Sequence, residues 1–149
     1  MILRRSKREL SLADLPEMLE IIKAYPTLGW NQTLLESSLR HPDQLGWGLI
    51  SATGKLISFA WFQQVLDEAE LLLIATHPAH VQRGAARQLL VETEACLRER
   101  GVNTFFLEVR VSNLAAQRLY AALGFLPLAL RENYYQLPSE DALVFQKKL

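Results

Sequence analysis

The turn Gln82-Arg83-Gly84-Ala85-Ala86-Arg87 is the first place where residue type and spacing suggest chemistry. An apolar run, Leu71 to Ala75, reads as a buried strand that passes through His77-Pro78 into this turn, and a helix opens from it. A strand that enters a helix through Gly and Ala leaves several backbone N–H groups unpaired. With the positive end of the helix dipole, those donors suit a phosphate or pyrophosphate. Gly84, Ala85 and Ala86 lack the bulk to keep a ligand off the backbone, and Arg83 and Arg87 add attraction. An ordinary strand–turn–helix connection fits the same residues. Glu108 is the second such place: it sits beside Phe106 in the otherwise apolar segment Val102 to Arg110, where a carboxylate needs a partner or a purpose. An ion pair with Arg110 or Arg131 would account for it.

Around these residues the chain reads as strands and helices in a mixed order. Ile2 to Leu10 is an edge strand by its charges. Asp14 before Leu15-Pro16 is an N-cap with proline in the first turn, and the helix turns Leu19, Ile21 and Ile22 to a core. After Pro26, Gly29 and Trp30, Asn31 caps a second helix with Leu34, Leu35 and Leu39. Trp47 to Ile50 and Leu56 to Val65 form a hairpin around Gly54, and the acidic turn Asp67-Glu68-Ala69-Glu70 returns into the Leu71 strand. The helix after the phosphate-type turn carries Leu89, Leu90, Ala95, Cys96 and Leu97 and stops at Gly101. Phe105, Leu107 and Val109 share one face of the next strand; Thr104, Phe106, Glu108 and Arg110 share the other. Asn113 opens a short helix with the stripe Ala116, Leu119, Tyr120 and Leu123, where an aromatic is commonly packing. A strand through Phe125, a polar RENYYQLPSED stretch and a last strand, Ala142 to Phe145, complete the chain. The class is α+β (mixed α/β), in a single domain over residues 1–149.

Composition narrows the function. The 149 residues are half hydrophobic, enough for one real core. Sixteen basic and sixteen acidic residues balance, which argues against nucleic-acid binding. No apolar stretch approaches the roughly 18–20 residues of a membrane span, and MILRRSKREL does not lead into a secretory signal, so a cytoplasmic protein is expected. His77 and His80 have a loose metal-like spacing, but no cysteine or acidic pair accompanies them, so no metal is expected. The lone cysteine, Cys96, reads as a small buried hydrophobe.

The stretches VLDEAELLLIA (Val65 to Ala75), LEVRVSNLAAQRLYAALGF (Leu107 to Phe125), RENYY (Arg131 to Tyr135) and EDALVF (Glu140 to Phe145) resemble the GNAT superfamily of acyl-CoA-dependent N-acyltransferases. They are most similar to its bacterial ribosomal-protein-alanine N-acetyltransferases. The resemblance implies a mostly antiparallel twisted sheet with helices on both faces, acetyl-CoA as co-substrate and a protein N-terminus as acceptor. That acceptor would be the alanine of a small-subunit ribosomal protein, served by a monomer or weak homodimer. It further implies that the backbone of Ile74, Ala75 and Thr76 pairs with the pantetheine arm and that Gln82, Arg83, Gly84, Ala85, Ala86 and Arg87 hold the pyrophosphate. Asn113 would contact the pantetheine region, Glu108 would act as general base and Tyr120 as general acid. The acidic residues Asp67, Glu68, Glu70, Glu132, Glu140 and Asp141 could receive a basic tail, which fits such an acceptor; an ordinary solvated turn explains the same charges. Two positions depart from the family pattern: Val81 stands where Arg or Gln usually opens the turn, and Leu73 where an Asn is usual. A small amine or amino acid as acceptor, and a non-catalytic acyl-CoA-binding module, are the alternative functions.

Overall fold

Between residues 44 and 76 apolar side chains are too dense for a helix with a wet face, and the chain folds instead as a meander. The computed structural model describes residues 5–136 and 138–149. In it, β2 (Gln44–Ile50) pairs antiparallel with β3 (Leu56–Val65), and β3 with β4 (Glu68–Thr76). β1 (Ser6–Glu9) flanks β2 at one edge; Ile2 to Arg4 of the expected first strand lie outside the described residues. β5 (Thr104–Arg110), β6 (Leu126–Gln136) and β7 (Ser139–Lys148) complete a seven-stranded sheet of order β1-β2-β3-β4-β5-β7-β6. Among the described residues only β4 and β5 pair in parallel.

Helices cover both faces, as the mixed pattern requires. On one, α1 (Leu15–Ile22) and α2 (Gln32–Arg40) place Met18, Ile21 and Leu35 against Phe59, Trp61, Leu73 and Ala75. On the other, α3 (Ala85–Glu99) places Leu89, Leu90 and Leu97, and α4 (Leu114–Ala122) places Tyr120, in one core with Phe62, Phe105 and Leu107. The α4 stripe is as expected, with Tyr120 and Leu123 buried. Leu34, expected in the core, faces solvent, and Cys96 is half-buried, its Sγ taking a hydrogen bond from Lys7 Nζ.

Two loop expectations give way to pairing. The turn after β3 is only Leu66-Asp67, because Glu68 pairs with Val65 and Thr104 and so already belongs to β4. The polar RENYYQ stretch, expected to separate two strands, is the second half of β6 and forms a hairpin with β7. Its polarity reflects an edge position exposed on both faces rather than loop structure.

A β-bulge in β4 sets up everything that follows. Trp61 pairs with Leu73 and Phe62 with Leu71, so Leu72 is the extra residue. It reverses the alternation of faces: Ala69 and Leu71 point to the α3/α4 core, whereas Leu73 and Ala75 point to the α1/α2 core. Pairing with β5 runs only from Glu68 to Glu70, then stops. Beyond the bulge the two strands diverge.

The end of α4 is held from below by a buried ion pair. Lys147 of β7 donates to both carboxylate oxygens of Glu94 on α3, at 2.9 Å each, and to the Leu123 carbonyl at the α4 C-terminus. Glu94 is only 5% exposed. Removing one member of such a pair strands the other charge. Glu94→Ala should cost about 3 kcal/mol in urea unfolding. A loss of under about 1 kcal/mol would mean that this contact does not anchor α4.

Candidate active site

Divergence of β4 from β5 leaves a row of backbone groups unclaimed by the sheet. His77 N–H donates to the Ile57 carbonyl at 2.7 Å, so antiparallel alternation turns the polar groups of Ile74 and Thr76 away from β3, toward the gap. The side-chain bonds agree. Ser58 Oγ reaches the Ala75 carbonyl on the β3 side at 2.9 Å, and Tyr25 Oη donates to the Thr76 carbonyl on the other at 2.5 Å. An extended ligand arm entering the gap would meet them as a short added strand.

A cleft of about 580 Å³ opens along this edge. Ile74, Ala75, Thr76, Gln82, Gly84, Ala85, Ala86, Arg87 and Asn113 line it, together with Tyr120. The turn at its far end has Gln82 at φ 59° and Gly84 at φ 74°, both left-handed; glycine takes this conformation freely and glutamine does not. α3 begins immediately after this turn, and the unpaired N–H groups of its first turn suit an anionic group. Arg83, among the expected phosphate contacts, lies outside the lining, and its carbonyl accepts from Arg5 at 2.7 Å. Asn113 spends its side-chain oxygen on the Ala116 N–H as the N-cap of α4, which leaves its amide N–H₂ for a ligand. Val81 contributes an apolar side chain to the lining.

A second cleft of about 530 Å³, the candidate acceptor cleft, is lined by Pro26 to Trp30, Glu70, Leu72, Glu108, Arg110, Tyr134 and Tyr135. Glu108 pairs with Arg131 at 2.5 Å, one of the partners expected for it. Burial and that carboxylate push the Tyr134 phenol up to about 12, and the Arg131 guanidinium lies 4.4 Å over the Tyr134 ring. Glu70 shares this face, its acidity weakened first by burial and then by the charge of Glu108. A smaller opening of about 300 Å³ joins the two clefts, and both Glu108 and Tyr120 border it. Tyr120 is 5% exposed, and burial, with a smaller contribution from Tyr135, raises its phenol to about 12.

The acidic residues expected to receive a basic tail do not act as one group. Asp67 accepts from Asn103 at 2.9 Å, Asp141 accepts the Asn133 N–H at 2.8 Å, and Glu140 is taken by Ser112 and Arg110. Only Glu70 of that set faces the acceptor cleft. The residue types alone did not single out Tyr25, Trp30, Arg110, Tyr134 or Tyr135 as site residues. The dense aromatic and cationic content of RENYY was the one available signal. His77 uses its ring nitrogen to cap the turn at Ala79. Among the described residues no group of three or more His, Cys, Asp or Glu could hold a metal ion, and no helix is long and apolar enough to cross a membrane.

Arg110 ties the two walls of the acceptor cleft together. Its guanidinium donates to the Thr27 carbonyl at 3.2 Å on one wall and to the Pro138 carbonyl at 3.0 Å on the other, while stacking 4.2 Å over Tyr135. Arg110→Met should raise the acceptor KM about tenfold by loosening both walls. The acetyl-CoA KM should change less than about twofold, since the other cleft is untouched. Equal rises in both constants in steady-state assays would refute the separation of the two clefts.

Comparison with known proteins agrees with this architecture. A family profile described as the acetyltransferase (GNAT) family matches residues 15–125. The chain is 38% identical over 137 residues to a [ribosomal protein bS18]-alanine N-acetyltransferase of Escherichia coli, covering 91% of each chain. It is 36% identical over 141 residues to the enzyme of that name from Haemophilus ducreyi, covering 88% of this chain and 91% of that one. The crystal structure of the Escherichia coli ribosomal-protein-S18-alanine N-acetyltransferase superposes with a TM-score of 0.88 over 97% of this chain and 94% of that one, at 36% identity. Arabidopsis thaliana NAA60 in complex with acetyl-CoA, at 16% identity, shares the fold with a TM-score of 0.86, covering 98% of this chain and 99% of that one. The diverging strands, the left-handed turn before α3 and these matches together make the chain a member of the acetyltransferase (GNAT) family.

Proposed function

We propose that this protein transfers an acetyl group from acetyl-CoA to the α-amino group of a protein N-terminus, the alanine of ribosomal protein bS18, by direct attack in a ternary complex. One observation carries the reading: two clefts meet at an opening bordered by both Glu108 and Tyr120. Donor and acceptor can therefore be held at once, with a carboxylate on the acceptor side and a phenol on the donor side. The names of the relatives support bS18 as the acceptor.

An ammonium has no lone pair, and a free α-amino group has a pKa near ~8, so much of it is protonated at neutral pH. Glu108 takes that proton, directly or through water, with Arg131 fixing its direction. The freed amine forms the N–C bond as the C–S bond breaks, and the second proton this leaves on the nitrogen passes to solvent, giving the neutral amide. Backbone N–H groups at the β4 edge polarise the thioester carbonyl. Tyr120 serves the departing sulfur. A thiol has a pKa of about 8.5, and the phenol stands at about 12. Complete proton transfer from the empty-site phenol would be uphill by roughly 5 kcal/mol. Tyr120 therefore stabilises the thiolate by a hydrogen bond, and solvent supplies the proton.

Thiol release from acetyl-CoA with a peptide beginning Ala-Arg, beside a panel of free amines, tests the assignment. Peptide-dependent release, reduced roughly 100-fold in Tyr120→Phe and in Glu108→Gln, is the expected result. Release with small amines alone would move the acceptor to a metabolite, and binding without release would make the chain a silent acyl-CoA module. The pH profile supplies an independent check. Because the Tyr120 pKa is raised, its donor form persists throughout the ordinary assay range. The rate should climb as the amine deprotonates, then stay level to about pH 10. A descending limb below that pH, absent in Tyr120→Phe, would contradict the role given to the phenol.

A further inference from the structure

The N-terminal charges of MILRRSKREL play no part in the sites above, yet one of them reaches the phosphate-type turn. Arg5 Nη2 donates to the Arg83 carbonyl at 2.7 Å, across 78 positions of sequence. Two residues on, and so on the same side of an extended chain, Lys7 reaches Cys96 of α3. The beginning of the chain thus braces α3 and the turn that opens it.

We propose that Arg5 is a positioning residue for the donor's pyrophosphate: by holding the Arg83 carbonyl on the outer side of the turn, it aims the Gly84 N–H into the cleft. In a trans peptide the C=O of one residue and the N–H of the next point in opposite directions. Arg83 lies outside the cleft lining and Gly84 lies in it, which is the arrangement this geometry requires. The turn needs such a hold. Gln82 sits at φ 59°, a conformation that a residue with a side chain keeps only when its surroundings enforce it. Arg5 also brings charge. Its Nη1 is buried without a hydrogen-bond partner among the described residues, so the guanidinium is not fully spent on the turn. His80, which lines the cleft, is held less basic by burial first and then by the charges of Arg83, His77 and Arg5. The field of Arg5 therefore reaches the place where a twice-charged diphosphate would lie, and it adds to those of Arg83 and Arg87.

This inference rests on the acetyl-CoA reading, and the test separates the two. Calorimetry gives the Kd of acetyl-CoA for the full chain, and steady-state assays compare acetyl-CoA with S-acetylpantetheine, which has the same thioester arm but no pyrophosphate. Arg5→Ala should weaken acetyl-CoA binding about tenfold, as expected for loss of a charged hydrogen bond acting through one backbone group. Its kcat/KM with S-acetylpantetheine and its acceptor KM should stay within about twofold of wild type. Arg5→Lys, which keeps a cation and a donor, should recover most of the affinity. Unchanged acetyl-CoA affinity in Arg5→Ala would overturn the proposal. Equal losses with both donors would also overturn it, since that pattern marks general damage to the fold. Failure of wild-type protein to bind acetyl-CoA would overturn the cofactor reading itself, and the role of Arg5 with it.

Discussion

Two neighbouring strands stop pairing, and the site exists because they do. β4 and β5 share only three residue pairs before the bulge at Leu72 sends them apart. A sheet normally satisfies its own backbone, so an interior gap is unfavourable unless something else fills it. Here the gap turns the polar groups of Ile74 and Thr76 toward a cleft of about 580 Å³, and Tyr25 takes the Thr76 carbonyl. The same bulge turns Glu70 and Leu72 toward the acceptor cleft and Ile74 toward the donor cleft. A single inserted residue thus divides one strand between two clefts.

The groups bordering the gap come from distant parts of the chain, and each is held by a second contact. Glu108 is oriented by Arg131 from the β6–β7 hairpin. Tyr120 rides on a helix whose end is fastened by Lys147 and whose start is capped by Asn113. Arg110 spans the acceptor cleft from the segment before α2 to the hairpin. Such supports matter because a reacting group misplaced by about 1 Å loses much of its advantage. They also explain why so many charged residues lie near the site without acting as a loose acidic surface.

The two functional tyrosines raised to about 12 are alike in value and different in use. Tyr134 faces the negative charge of Glu108, a carboxylate already present in the protein. Tyr120 is buried beside the junction, where a departing sulfur would be the anion that calls on it. In both cases burial is the first cause, since a phenolate in an apolar environment loses its hydration.

Local chemistry alone determined a good deal of this. Apolar runs of strand length, Asn31 and Asn113 as caps, Gly101 as a stop and the small-residue turn at Gly84 all read correctly, because capping, turn conformation and burial depend on near neighbours. The resemblance of LEVRVSNLAAQRLYAALGF to a known family anticipated Glu108 and Tyr120 at one site, and Arg131 was foreseen as a partner of Glu108. Tertiary structure decided the rest. RENYYQ looked like a loop because an edge strand wet on both faces has no period-two pattern to show. The Leu72 bulge left no mark in a run of three leucines, since it is defined by register against β3. Tyr25, Arg110 and Arg5 took their roles from carbonyls at Thr76, Thr27 and Arg83, remote partners that no spacing rule connects. Distance along the chain is what periodicity measures; the meeting of two clefts at one opening is set by how the strands part.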